Sequence, residues 1–330
     1  MCEIVAEVYR SGRIESCHYG HVAVVAPDGE LLAGMGKPQT KTYMRSAAKP
    51  FQVMPLLESG AVEHFGFMEK ELAVIMASHN GEPFHIQTVE QLLQKTGLAV
   101  TELQCGFHPP LHGKSAKNHL LSGLPKTAIY NNCSGKHTGM LALAKYKGWP
   151  LKTYLKTSHP VQKLIKEKIS LFSGLPERDI ETGVDGCSAP VFYLPIKNMA
   201  LMYADLAVAK TDTARQVFNI MSSHSEMIAG AGRFDTDLMR VMKGRMVSKV
   251  GAEGVRCLAV KGKRPLGIAL KIEDGHKRVS AAVLLEILQQ MDLISDAELQ
   301  QLWSYYRPVL QNCMGIEVGE IRAKFELVTA

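Results

Sequence analysis

"MRSAAKPFQVM", residues 44–54, places a serine three residues before a lysine at a predicted helix start. On a helix, positions i and i+3 share a face, so Lys49 can lie beside the Ser46 hydroxyl. One reading is a serine helix cap with a solvated lysine; the other is a nucleophile with its base one turn away. A serine alcohol is a poor nucleophile until something takes its proton. A lysine does that only where burial or nearby cations lower its pKa. Arg45 is an adjacent cation, and a helix N-terminus offers free N–H groups to a developing oxyanion. The residues after Lys49 are apolar (PFQVMPLL), which predicts a buried helix and a desolvated amine. This helix is expected from about Ser46 to Ser59, with Pro50 in its first turn, a kink at Pro55 and a stop at Gly60.

Outward from that stretch, the two ends of the chain read as strands. EIVAEVYR (3–10) alternates apolar and polar residues, and so does EIRAKFELV (320–328). HVAVVAPDGELLAGMG (21–36) reads as two strands around a Pro-Asp-Gly turn. VSKVGAEGVRCLAV (247–260) and PLGIALKIEDG (265–275) read as two more. Helices fit 86–97, 158–174 (capped by Ser158), 194–209, 212–222, 235–243 and 276–294, and 70–82 is either helix or strand ending in a polar turn. Strands at both ends with helices between predict an α+β fold with a mostly antiparallel sheet flanked by helices. With no internal repeat and no Gly/Ser linker, residues 1–330 are expected to form one domain. Its middle helices would make a cap or second lobe.

The 330 residues carry a formal charge of +6 without a dense basic run, so no nucleic-acid partner is expected. No stretch reaches the ~18 apolar residues of a spanning helix, and the start is not a signal peptide, so no membrane partner and a cytoplasmic location are expected. Seven scattered cysteines then read as thiols or metal ligands.

Four further groups could carry chemistry. Ser78 in MASHNGE follows an apolar run, and Lys261 lies between two predicted strands. NNCSGKHTGM (131–140) offers Cys133, Lys136 and His137 within five residues, and VDGCSAP (184–190) adds Asp185 and Cys187. The two cysteines are either buried thiols or ligands of a thiophilic metal such as zinc. In MIAGAGRFDT, Gly230 and Gly232 beside Arg233 suggest close backbone approach and a fixed guanidinium. The alternative is a plain helix-connecting turn. No dinucleotide or Walker motif is present.

The ordered set YMRSAAKPFQ, ASHNGE, NNCSGKHTGML, VDGCSAP, MIAGAGRFDT, GAEGV and GIALKIEDG resembles the bacterial L-asparaginase II family of the Rhizobium type. The resemblance runs from about residue 3 to residue 328. It implies a scaffold like the serine β-lactamases, penicillin-binding proteins and glutaminases. It also implies hydrolysis of L-asparagine to L-aspartate and ammonia. Ser46 would be the nucleophile and Lys49 its base, with Ser78 and Lys261 as a second Ser–Lys pair. Arg45 and Asp185 would lie in the active site, and Cys133, Lys136 and Cys187 would hold one zinc ion per chain. Arg45, Lys261 and Arg233 are candidates for the substrate carboxylate, Asp185 and Glu82 for its ammonium, and His137 is a further substrate-binding candidate. A homodimer is expected. Two alternatives stay open: a related serine amidohydrolase acting on glutamine or a β-lactam, and a zinc-binding protein without turnover.

Overall fold

The computed structural model describes residues 2–329. The chain divides into two compact units, each built from separated segments. One comprises Met1–Ala47, Leu194–Val208 and Asp237–Ala330, and the other Ala48–Tyr193 and Ala209–Thr236.

The first unit holds a sheet of nine strands among the described residues. Its order is Val309–Gln311, Glu317–Ala323, Glu3–Arg10, Arg13–Val25, Leu266–Ile272, Val255–Val260 and Met246–Val250. Every one of these neighbours is antiparallel. Leu31–Met35 also pairs with Arg13–Val25, and Val328–Thr329 pairs with Leu31–Met35. The two ends of the chain meet as expected, with Ala6 opposite Ala323. The expected half-burial of the first strand is not what is found. Val5, Ala6, Glu7 and Val8 are all buried, so both faces are covered there. Helix Ile196–Ala207 lies against Leu266–Ile272 and Val255–Val260. That cover explains why these two strands are buried along nearly their whole length and do not alternate between buried and exposed residues.

The second unit is mainly helical, with Glu69–Ile75, Pro83–Thr96, Ser134–Tyr146, Pro160–Ser173 and Asp212–Ser223 as its principal helices. Leu92, Leu141, Ile165 and Phe172 are buried in it, and the Phe51 and Phe172 rings lie 5.3 Å apart. Residues 181–184 and 190–193 form a short antiparallel hairpin that the sequence reading omitted. Residues 70–75 resolve as helix.

Several boundaries differ from expectation for local reasons. The expected 46–59 helix is three pieces: a 3-10 turn Arg45–Ala48, then Lys49–Gln52 and Met54–Leu57. Pro50 and Pro55 each sit in the first turn of a piece, so Pro55 restarts the helix where a kink was expected. Helix Pro160–Ser173 is capped by the His159 ring, which accepts from the Val161 amide, and not by Ser158. The 247–260 stretch is a hairpin of two strands, turned at residues 251–254. The architecture is α+β with an antiparallel sheet flanked by helices.

Candidate active site

The turn carrying Ser46 belongs to the first unit. Ser46 is half-buried, and Arg45 before it has φ +52°, a left-handed conformation that costs a non-glycine residue on the order of 1 kcal/mol. The turn is pinned by neighbours that hold it there. The Ala47 amide donates to the Met44 carbonyl at 3.2 Å, and the buried Tyr203 hydroxyl donates to the Ala47 carbonyl at 2.8 Å. Gly251 of the GAEGV motif explains itself here: a Cβ at that position would come within 2.9 Å of the Met44 carbonyl oxygen. Lys261 is exposed, between strands Val255–Val260 and Leu266–Ile272, and its amide donates to the Arg245 carbonyl.

The helical unit begins two residues after Ser46 and contributes a buried polar cluster. Lys49 opens the Lys49–Gln52 helix and is 1% exposed. Its Nζ donates to the Ser78 hydroxyl at 3.0 Å and to the Ala77 carbonyl. Burial pushes the Lys49 pKa below the usual lysine value. Lys49 is thus a lysine hydrogen-bonded to Ser78. Ser78 itself follows helix Glu69–Ile75, in a turn whose amide donates to the Ile228 carbonyl at 2.9 Å.

Cys133 sits just before helix Ser134–Tyr146, where a thiolate gains from the helix dipole. The turn is built by asparagines. The Asn131 side chain accepts from the Cys133 amide at 2.9 Å and donates to the Cys105 carbonyl at 2.8 Å. The Asn132 amide donates to His108 Nε2 at 2.9 Å. Gly135 lets the helix start press on its neighbour, since a Cβ there would meet the Val74 carbonyl oxygen at 2.2 Å. Cys187 arrives from the 185–188 turn, closed by the Ser188 amide on the Asp185 carbonyl at 2.8 Å.

These residues converge. The Cys187 thiol donates to Cys133 and holds its pKa well below the ordinary thiol value despite burial, with Lys49 and Lys136 adding to the effect. The same hydrogen bond, with burial, pushes the Cys187 thiol up. Lys136 is buried, and its Nζ donates to Cys187 Sγ at 3.0 Å. Burial pulls its pKa down, but the Cys133 and Cys187 sulfurs outweigh that and hold the amine above its ordinary value. Asp185 Oδ2 lies 3.8 Å from the Cys187 sulfur. The three expected metal ligands, Asp185, Lys49 and Ser78 thus share one cluster. Among the described residues no group of three His, Cys, Asp or Glu side chains forms a metal site.

Arg233 joins the other side of the Ser78 turn. Its Nη1 donates to Asn80 Oδ1 at 2.6 Å, and Asn80 Nδ2 donates to the Ala231 carbonyl at 3.2 Å. Glu82 Oε2 accepts from the Ala231 amide at 3.0 Å. Gly230, at φ +114°, is required by this approach: its Cβ would stand 2.3 Å from Glu82 Oε2. The guanidinium is fixed, as the glycines suggested. His137 follows Lys136 on helix Ser134–Tyr146. It is fully buried, its Nδ1 lies 2.6 Å from the Tyr154 hydroxyl, and burial keeps it neutral by lowering its pKa far below the usual value.

The sequence reading singled out Ser78 and Glu82 of ASHNGE but passed over the residues between them. His79 is fully buried. Its Nδ1 accepts from the Gly81 amide at 3.1 Å, which leaves Nε2 to donate to the Ser134 hydroxyl at 3.0 Å. His79 thereby ties the Ser78 turn to the helix that follows Cys133. The available signal was the run itself, four polar residues among five following a buried apolar helix.

No curated protein matches the chain. Among solved structures, Mglu in its native form aligns at TM-score 0.39 and 15% identity, over 85% of this chain and 66% of that one. Mglu in its L-glutamate binding form aligns at TM-score 0.41 and 13% identity, over 85% and 63%. A Bacillus glutaminase aligns at TM-score 0.37 and 14% identity, over 83% and 91%. The chain thus spans less than two thirds of the length of the Mglu chains. The family model described as L-asparaginase II matches residues 6–323, and the chain belongs to that family.

Proposed function

We propose that this protein hydrolyses the side-chain amide of L-asparagine to L-aspartate and ammonia, with Ser46 as nucleophile. The observation that carries the reading is Lys49. It is a fully buried amine with a lowered pKa, three residues beyond Ser46, at the start of the helix that follows the Ser46 turn. A neutral amine there takes the Ser46 proton as Oγ attacks the amide carbon, and ammonia leaves with a proton. Water then attacks the acyl-serine, and the proton it releases returns to the serine oxygen. Ser78, which accepts from Lys49 Nζ at 3.0 Å, orients that amine. Arg233, Arg45 and Lys261 are the candidates for the α-carboxylate, and Asp185 and Glu82 for the α-ammonium.

The donor set suits zinc. Cys133 and Cys187 are soft ligands, one already biased to the thiolate, and the Lys136 amine lies beside them. These three would hold the ion, with the amine giving up its proton to do so. Zinc there would polarise or orient the substrate amide. The cytoplasmic location and the homodimer expected from sequence belong to the same reading. No helix among the described residues is long and apolar enough to cross a membrane.

A coupled ammonia assay with L-asparagine, alongside Ser46→Ala, tests the reading. Ammonia release that falls by on the order of 10⁴ or more in the variant is expected. A variant that keeps above a tenth of the wild-type rate would remove Ser46 from the nucleophile's role. Elemental analysis of protein purified without chelator should find about one zinc per chain. Full activity with less than about a tenth of an equivalent of any metal would reduce the cysteines to buried thiols.

A further inference from the structure

A cavity of about 300 Å³ lies within the helical unit, and none of its walls belongs to the Lys49–Cys133 cluster. One side is Gly81 and Pro83 with Ile86 and Gln87, at the start of helix Pro83–Thr96. The other is helix Gly113–Leu121, which has no buried residue. This helix is turned against the usual rule. Its polar residues Ser115, Asn118 and His119 face the cavity, while Leu120 and Leu121 are 79% and 73% exposed.

A packing void is apolar and dry; this one is not built that way. Gln87, Asn118, Ser115 and Ser122 line it together with prolines, Ile86, Leu124 and the His119 and Tyr130 rings. Few polar groups on a mostly apolar concave surface are the mark of a ligand site. The His119 and Tyr130 rings lie 4.2 Å apart, with Phe107 5.8 Å from His119. His119 Nδ1 is buried with no hydrogen-bond partner among the described residues.

The exposed charges on and beside the outer helix of the cavity are lysines. Between Glu102 and Glu167 the chain carries ten lysines and no carboxylate. Lys114, one turn before Asn118, shares its side of the helix, and Lys117 and Lys126 are also exposed. Glu90 is the carboxylate that, after burial, raises the Tyr130 phenol; three lysines outnumber it.

We propose that this cavity binds a small aromatic anion of the nucleoside monophosphate class. The heterocycle lies against the Tyr130 and His119 rings and the proline walls, its polar edge meets the Gln87 and Asn118 carboxamides, and its phosphate meets Lys114. The site goes beyond asparagine hydrolysis, and its test does not depend on turnover.

Calorimetric titration of the full chain with AMP is the experiment, with adenosine and inorganic phosphate as separate arms. Saturable one-site binding of AMP at about 1 mM or tighter is expected, with each fragment at least about tenfold weaker. Asn118→Leu on the exposed helix and Tyr130→Ala should each weaken AMP by about tenfold, and Lys114→Ala by about three- to tenfold. Should Tyr130→Ala fail to fold, Asn118→Leu decides alone. No saturable AMP binding overturns the proposal. Phosphate binding as tightly as AMP overturns it too, since that is a lysine-only anion site. Adenosine as tight as AMP, or unchanged affinity in Asn118→Leu, does the same.

Discussion

The turn at residues 77–85 and the turn at 131–137 lie in the same unit, are equally buried, and solve the burial of polar groups in opposite ways. In the first, Ser78, His79, Asn80 and His85 are themselves uncharged groups held by hydrogen bonds, Asn80 by the Arg233 guanidinium, and burial lowers the pKa of both imidazoles. In the second, charge is kept and paired: a sulfur biased to thiolate stands against a lysine held as ammonium. Lys49 borders both, with its Nζ on Ser78 and its pKa shaped first by burial, then by the Cys133 sulfur and the Lys136 cation. An amine between a neutral network and an ion pair is cheap to deprotonate and stays fixed in place. A base needs both properties.

The sharpest way to break this comparison is at Lys49. Lys49→Met removes the amine and should cost on the order of 10⁴ or more in kcat. Lys49→Arg keeps a cation that cannot lose its proton, and it should be as inactive. Activity above about a tenth of wild type in the arginine variant would mean that the position supplies charge and not basicity. The substrate side gives a smaller number. Glutamine is one methylene longer than asparagine and displaces the amide carbon from Ser46, so asparagine should be preferred by about 10²-fold in kcat/KM. Equal values for the two amides would contradict it.

At the second turn the comparison predicts a stability effect. In the metal-free protein, Cys133→Ala takes the sulfur biased to thiolate away from the buried Lys136 ammonium, which keeps its hydrogen bond to Cys187 Sγ, so the loss should approach but not exceed the about 3–5 kcal/mol of a fully stranded buried charge. Adding Lys136→Met removes the stranded charge, so the double variant should recover a large part of that loss in urea unfolding. A double variant as unstable as the sum of the two single ones would show that the residues are not an ion pair.

Much of this was legible in the sequence because periodicity reports burial. The terminal strands, the Pro-Asp-Gly hairpin and the helices with glycine stops follow from local rules, and they were read within a few residues. The Met246–Val260 hairpin was read as one strand because its two arms are fully buried and show no alternation. The glycines of MIAGAGRF announced a close approach, and Gly230 against Glu82 is that approach. Cys133, Lys136 and Cys187 were grouped before their distances were known. His79 was passed over because its role depends on Ser134, fifty-five residues away, and no local pattern reports such a pair. His137 is a similar case. Lys136 is its neighbour in the sequence, and no local pattern reports that the His137 ring meets Tyr154, seventeen residues away.

A pH titration tests the first turn. His85 is fully buried and stacks on His79 with ring centroids 5.2 Å apart. Its Nε2 donates to the Glu226 carbonyl at 3.1 Å, so the proton it would gain goes to Nδ1. Glu82 Oε2 is 3.9 Å from that atom, too far for a hydrogen bond, and Lys70 and Arg233 oppose added charge. Burial is the main cause that lowers the His85 pKa from 6.5 to about 4. The unfolded chain then binds the proton first as pH falls, so unfolding becomes easier between about 6.5 and about 4 and the His85 contribution is flat outside that window. The shift corresponds to about 3 kcal/mol across the window. His85→Gln keeps a donor for the Glu226 carbonyl and removes the titration. Urea midpoints measured from pH 7 to pH 4 should therefore fall less steeply in the variant than in the wild type. Equal slopes would place the acid sensitivity on His79 or on the charged cluster instead.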